Sequence, residues 1–231
     1  MVNREVLSTI RAALMDRADA ARGAGAQAYM KSDIPSLGVR VPDVRRLTMA
    51  AAATHPFETT DELRATVLEL WRQSGVREER YAAIDLTGLK MAAKDLAMLP
   101  VYEEIIRTGA WWDFVDGVSQ RIGVLLQAHR PATTEVLGNW STDPDFWIRR
   151  AAITAQLKAK DQTDRRLLRT VLEANLADPE FFIRKAIGWA LREFGKTDPE
   201  WVRTFVDDHR DRLSPLSRRE ALRNLPLDDR P

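Results

Sequence analysis

The sequence of 231 residues contains no cysteine, which excludes disulfides, thiolate metal sites and cysteine nucleophiles. No hydrophobic run approaches the roughly 20 residues that span a bilayer. The N-terminal segment from Met1 to Ala20 is charged and amphipathic, without the apolar core of a signal peptide. The three histidines, His55, His129 and His209, lie far apart in the sequence. We therefore expect a cytoplasmic protein with no membrane, metal or cofactor requirement.

The usual catalytic motifs are also missing. There is no phosphate-binding glycine loop, no HExxH and no G-x-S-x-G. The formal net charge is only +1, so any binding to a polyanion would depend on how the charges are arranged rather than on their total.

Ala, Leu, Arg and Glu dominate what is present, and strict alternation of apolar and polar residues is rare, which predicts a nearly all-helical chain. The small residues from Arg22 to Gly25 are expected to form a loop after a first helix. Four Asp-Pro or Ser-Pro pairs are expected to begin helices, with the acid or serine as N-cap and the proline as first helical residue. These pairs are Asp143-Pro144, Asp178-Pro179, Asp198-Pro199 and Ser214-Pro215.

Six dipeptides recur at a nearly constant interval. They are Arg45-Arg46, Arg80-Tyr81, Val115-Asp116, Arg149-Arg150, Arg184-Lys185 and Arg218-Arg219. Their second members follow one another at steps of 35, 35, 34, 35 and 34 residues. A period in this range predicts a solenoid in which each repeat is one helix pair stacked on its neighbours. We expect a single domain over residues 1–231 with about six such pairs.

The second members of these dipeptides share one phase, so they are expected to form one row along the same face of every second helix. Four members are basic, and Tyr81 and Asp116 interrupt them. Phased arrays of Lys and Arg neutralise phosphates, so the row favours a polyanionic partner. The single acid, Asp116, requires a separate explanation.

Tryptophans offer that explanation. Trp112 lies four residues before Asp116 and shares its helix face, and Trp189 lies four residues after Lys185. Two indoles around a carboxylate would form a cleft that favours a cation. The alternative is that tryptophans only fill gaps between helices. That role is assigned to Trp71, Trp140, Trp147, Trp201 and one of the Trp111/Trp112 pair.

The chain resembles the AlkD family of bacterial DNA alkylation repair proteins over nearly its whole length. The matching stretches are YMKSDIPSLGVRVPDVRRL from Tyr29, WWDFVD from Trp111, WIRRAAITAQLK from Trp147, FFIRKAIGWALREFGKTDPEWV from Phe181 and PLSRREAL from Pro215. The resemblance implies an all-α fold, a superhelical solenoid of HEAT-like helical repeats with a concave DNA-binding face. It also implies a monomer in the bacterial cytosol or nucleoid.

The resemblance further implies a monofunctional DNA glycosylase that removes cationic N3- or N7-alkylated purines, such as 3-methyladenine and 7-methylguanine, from duplex DNA without flipping the base. The family's catalytic cleft falls on Trp112, Asp116 and Trp189. Its DNA-contacting residues fall on Arg150, Tyr29, Lys158, Lys185, Arg192, Arg218 and Arg219. No metal ligand and no cofactor is implied.

Two other functions are compatible with a helical solenoid. One is a non-catalytic protein that binds distorted or branched DNA, which would release no base. The other is a protein-interaction solenoid, which would leave the basic row and its acid between indoles unexplained. The preference between small methyl lesions and bulky natural-product adducts stays open.

Overall fold

The computed structural model describes residues 1–225, and the regular secondary structure of that range is helical. In chain order the helices are α1 (Arg4–Asp16), α2 (Ala20–Met30), α3 (Val41–Thr54), α4 (Thr60–Arg72), α5 (Arg77–Leu86), α6 (Leu99–Gly109), α7 (Trp112–Ala128), α8 (Arg130–Trp140), α9 (Phe146–Thr154), α10 (Arg165–Glu173), α11 (Phe181–Gly195), α12 (Pro199–Asp208) and α13 (Pro215–Leu222). Short 3₁₀ turns cover Leu96–Met98 and Lys160–Gln162. The all-α prediction is confirmed.

The chain forms two compact units, Met1–Val101 and Tyr102–Pro231. The prediction of one domain over residues 1–231 stays a prediction, and its C-terminal end, residues 226–231, lies outside the described part of the chain. Within residues 1–225, no helix has both the length and the hydropathy that crossing a bilayer requires.

The second unit is a stack of helix pairs. Helices α7, α9, α11 and α13 contact one another in that order and form one layer, while α8 and α10 contact each other in a second layer. Helix α12 closes the stack against α11 and α13. The apolar core of the second unit includes four residues with no exposure to solvent: Ile183, Ile187, Leu191 and Phe205. This arrangement confirms the predicted helical repeat for the second unit.

The first unit places α3 beside α5, with α1 and α4 packed against them. The predicted loop from Arg22 to Gly25 is wrong, because these residues lie inside α2. Asp19 caps this helix by accepting a hydrogen bond from the Arg22 amide. Gly23 is small for a packing reason, since a Cβ there would lie 2.4 Å from the Ser36 carbonyl oxygen.

Two of the four predicted N-caps are confirmed and two are wrong. Asp198 and Ser214 cap α12 and α13, each with proline as first helical residue. The caps of α9 and α11 are instead Asp145 and Glu180, two residues after the predicted ones.

The displaced caps have a common cause. Asp143 and Asp178 each accept a hydrogen bond from the amide two residues later, at 2.8 Å in both cases, which is an Asx turn. Their carboxylates also bind arginines, Arg107 for Asp143 and Arg149 for Asp178. The aspartate before each proline therefore shapes the loop and anchors it to a neighbouring segment, and the helix begins later.

Candidate active site

The central feature of the site is a buried ion pair between Asp116 on α7 and Arg150 on α9. Arg150 Nε donates to Asp116 Oδ1 at 2.9 Å, and its Nη2 donates to Oδ2 at 2.8 Å. The two side chains are only 6% and 12% exposed, Arg150 being the more buried. Such a two-point contact fixes the plane of the carboxylate as well as its position.

Arg150 is also held from the other side. Its Nη1 donates to the backbone carbonyl oxygen of Phe182 at the start of α11, at 2.7 Å. One guanidinium thus connects three consecutive helices of the same layer. Rotation of Arg150 toward solvent would break three hydrogen bonds.

Close packing of α7 on α9 sets this geometry. A Cβ at Gly123 would lie 2.3 Å from the carbonyl oxygen of Ala155, so only glycine permits the observed approach. One turn closer to the ion pair, Thr154 Oγ1 donates to Ser119 Oγ at 3.0 Å in a fully buried contact. These contacts hold Asp116 opposite Arg150.

Burial raises the pKa of Asp116 above its ordinary value, and it outweighs the opposing effect of Arg150. The nearby charge of Asp113 adds to the increase. Each Asp116 oxygen still has one lone-pair direction that the guanidinium does not use. The site can therefore present an oriented carboxylate whose charge water screens poorly.

The two tryptophans predicted for the cleft stand on the helices that flank α9. Trp112 is the first residue of α7, and Trp189 lies in the middle of α11. Both side chains are half-buried. Because α9 contacts both α7 and α11, Trp112 and Trp189 belong to the two helices that neighbour the helix carrying Arg150.

The neighbouring Trp111 takes the packing role. Its ring centroid lies 5.6 Å from Phe182 and 6.1 Å from Trp147, and Phe182 lies 4.9 Å from Trp147. This aromatic cluster supports the N-terminal ends of α7, α9 and α11. Other tryptophans also fill gaps as expected, including Trp71 and Trp140, which are 2% and 7% exposed.

Among the residues predicted to bind DNA, Arg150 is buried, and its guanidinium donates hydrogen bonds to Asp116 and to the Phe182 carbonyl. Lys185 and Arg192 are partly exposed and both contact Glu220 of α13. The remaining predicted residues are exposed: Tyr29, Lys158, Arg218 and Arg219. Their roles toward DNA stay predictions.

Tyr29 belongs to the first unit. With Tyr81 and Arg77 it lines a cavity of about 210 Å³ between α2, α3 and α5. Arg77 Nε donates to the Tyr81 hydroxyl at 3.0 Å, so the tyrosine that interrupts the predicted row has a local partner. Arg46 at the preceding row position pairs with Asp43 on its own helix.

Two contacts of the candidate site in the second unit, at the Phe182 carbonyl and at Glu220, could not be predicted from the sequence motifs. The Phe182 carbonyl carries no side-chain signal, so only the fold could reveal its bond to Arg150. The sequence signal for Glu220 is its position directly after the row residue Arg219.

Comparison with known proteins agrees with this fold. A family model described as "DNA alkylation repair enzyme" matches residues 10–225. A predicted DNA alkylation repair enzyme from Enterococcus faecalis superimposes with a TM-score of 0.83 at 28% identity, covering 92% of this chain and 98% of that one. No protein of curated function matches significantly.

A more distant structure has the same fold. It is the Pseudomonas fluorescens alkylpurine DNA glycosylase AlkC, bound to DNA containing an abasic site analog. The TM-score is 0.52 at 19% identity, and the match covers 96% of this chain and 63% of that chain. Because the family model spans nearly all of the described residues, the chain belongs to the DNA alkylation repair enzyme family.

Proposed function

We propose that the chain is a monofunctional DNA glycosylase of the AlkD type, acting in base excision repair of alkylation damage. Its substrate would be duplex DNA carrying a cationic N3- or N7-alkylated purine. The observation that carries the proposal is the buried carboxylate of Asp116, bound on both oxygens by Arg150. Membership of the DNA alkylation repair enzyme family supports it.

The chemistry requires little from the protein. Alkylation at N3 or N7 makes the purine a cation, so the bond from C1′ to the base nitrogen breaks with its electron pair going to the base. Positive charge then develops on the deoxyribose as an oxocarbenium ion. Water adds to C1′ and loses a proton, giving an abasic site and free alkylpurine. A fixed charge aimed at such a developing charge is worth about 3–4 kcal/mol, or roughly a thousandfold in rate.

Asp116 is suited to this task, because its charge lies in a poorly screened environment and cannot rotate away. Arg150 orients the carboxylate and opposes the increase in its pKa that burial causes. Trp112 and Trp189 would hold the sugar through the electron-rich faces of their indoles. A contact made through the sugar needs no extruded base, so we propose that excision proceeds without the base flipping that most glycosylases use.

The cation bound to Asp116 is the arginine Arg150, which fits hydrolysis by water rather than a lyase mechanism through an imine between protein and sugar. A lyase needs an amine that can lose its proton, whereas an arginine guanidinium stays charged. We therefore propose water as the nucleophile. Treatment with borohydride during turnover should trap no covalent adduct between protein and DNA.

One assay tests the proposal directly. Purified protein is incubated with duplex DNA containing 7-methylguanine, and released base is measured in single turnover. Asp116→Asn should lose about a thousandfold in rate while keeping its affinity for duplex DNA. Asp113→Asn removes the same charge one turn earlier on α7 and should keep most of the activity. Full activity of Asp116→Asn would exclude the proposed role.

The lesion specificity follows from the same mechanism. Because the carboxylate does not activate the leaving base, neutral lesions such as uracil and hypoxanthine should be poor substrates. Release of uracil as fast as 7-methylguanine would contradict this mechanism. Release of no base from any alkylated DNA would instead favour a non-catalytic protein that binds distorted DNA.

Binding of duplex DNA is proposed to involve the exposed or partly exposed cations of the second unit, together with Tyr29 of the first. The cations are Lys158, Lys185, Arg192, Arg218 and Arg219. A monomeric state and a place in the bacterial cytoplasm complete the proposal.

A further inference from the structure

One carboxylate, Glu220 on α13, binds two cations of α11. Its Oε2 accepts a hydrogen bond from Arg192 Nη1, and its Oε1 lies 3.4 Å from Lys185 Nζ. The Glu220 side chain is 12% exposed, against 20% for Arg192 and 39% for Lys185. The acid is therefore the buried member, and the two cations are the members that face solvent.

A glycine permits this arrangement. Gly188 lies on α11 between the two cations, and a Cβ there would be 2.6 Å from the Glu220 Cβ and 2.9 Å from the Ser217 carbonyl oxygen. Residues 185, 188 and 192 share one helix face. The missing side chain lets α13 approach α11 so closely that Glu220 enters between Lys185 and Arg192.

The electrostatics define what this trio, Lys185, Arg192 and Glu220, can bind. Burial acts to raise the pKa of Glu220, but Lys185 and Arg192 outweigh it and the pKa lies below its ordinary value. Glu220 is therefore ionised at neutral pH, and two cations with one anion leave a formal charge of +1. Lysine has three N–H donors and arginine five, so donors remain for a second anion.

A phosphodiester carries one negative charge and would neutralise the trio. Lys185 and Arg192 also lie four residues before and three residues after Trp189 on the same helix. A phosphate bound to them would therefore lie near that indole. Since a deoxyribose is covalently joined to its phosphates, a fixed phosphate would limit the positions its sugar can take.

We propose that Lys185, Arg192 and Glu220 form a seat for one backbone phosphodiester of the lesion-bearing strand, with Glu220 as the positioning residue. This rests on the proposed function. Glu220 restricts the two cations to one arrangement. The phosphate that they bind therefore fixes the register of the strand, that is, which sugar lies at Trp189. An unrestrained Lys185 and Arg192 would still attract DNA but would not fix that register.

The first experiment separates attraction from positioning. Glu220→Gln preserves the volume of the side chain and removes its charge, which changes the trio from +1 to +2. Its affinity for undamaged duplex should stay equal or increase, while the maximal single-turnover excision rate should fall by about ten- to a hundredfold through misplacement of the sugar. Glu193→Gln, which removes a charge from an ion pair with Lys196 on the same helix, should leave that rate unchanged.

The second experiment uses a neutral backbone. A series of lesion duplexes carries one methylphosphonate each, at successive positions around the 7-methylguanine. A methylphosphonate at one position should lower the excision rate of the wild type. The same duplex should not lower the rate of the Lys185→Ala/Arg192→Ala double variant, because that variant lacks the two cations that bind the phosphate. Equal sensitivity of both proteins at every position would overturn the proposal.

Other results would also decide the question. Unchanged excision by Glu220→Gln would refute a positioning role, as would a parallel loss of excision, duplex affinity and melting temperature, which indicates packing alone. If the wild type released no base, the proposed function would fail separately. The seat would then be tested by the salt dependence of duplex binding, whose slope should fall by about 1 to 2 for the double variant.

Discussion

Replacing Arg150 with alanine should act through Asp116 rather than through a lost phosphate contact. The substitution removes both donors to the carboxylate and the donor to the Phe182 carbonyl. Removing one partner of a buried ion pair costs about 3–5 kcal/mol. A second route gives the same magnitude: protonating a carboxyl of ordinary pKa 3.8 at pH 7 costs about 4 kcal/mol.

The pH dependence makes this prediction specific. In the Arg150→Ala variant the pKa of Asp116 in the folded state should rise further above its unfolded value. A carboxyl with a raised folded pKa contributes stability at low pH and loses it as pH increases through that pKa. The deficit relative to wild type should therefore be larger at pH 7 than at pH 5, changing by at most about 1.4 kcal/mol per pH unit, and it should not decrease again at pH 8.

Urea unfolding at pH 5, 6, 7 and 8 provides the measurement, with Arg46→Ala as control. Arg46 makes an exposed pair with Asp43 on its own helix and should cost about 0–1 kcal/mol at every pH. Adding Asp116→Asn to Arg150→Ala should recover much of the loss. A deficit for Arg150→Ala under about 1 kcal/mol at pH 7, or one independent of pH, would show that the pair is not as buried as described.

Three further predictions concern the same unit. Gly188→Ala should destabilise the protein and lower the excision rate, because the new Cβ would meet Glu220 and the Ser217 backbone. The control is Gly138→Ala on α8, where the new Cβ meets no atom within 4 Å. That substitution should stabilise the protein by about 0.5–1 kcal/mol. The excision rate should decline as pH falls through the raised pKa of Asp116, with a midpoint above 3.8, and Asp116→Asn should lack this decline. Lys158→Ala should weaken duplex binding and reduce its salt slope by about 1, while leaving the saturated rate unchanged.

The sequence predicted the helical repeat correctly because the repeat has a strong periodic signal. Asp143-Pro144 and Asp178-Pro179 show where such local rules fail. An aspartate before proline can cap a helix or form an Asx turn, and the outcome depends on what else its carboxylate binds. Here Arg107 and Arg149 bind these carboxylates from outside the loop, which no local pattern reveals.

The same limit applies to the site. Phase placed Asp116 and Arg150 at matching positions of successive repeats, 34 residues apart, but a row of equivalent positions does not show which members touch. That depends on how closely α7 and α9 approach, which the contact between Gly123 and Ala155 sets. The phase alone predicts a row that favours a polyanionic partner, whereas the structure pairs two of its four basic members, Arg150 and Lys185, with carboxylates on neighbouring helices.

This pairing changes how the second unit would act on DNA under the proposed function. Free cations at every row position would attract phosphates equally along the face and would leave the register of the strand undefined. The Asp116–Arg150 pair has no net charge, so it does not attract a phosphate to the place where a cationic sugar must form. The trio of Lys185, Arg192 and Glu220 keeps a charge of +1 beside Trp189. Under the proposed function, the phosphate would thereby be directed to α11 and α13, and the carboxylate of α7 would stay available for the sugar.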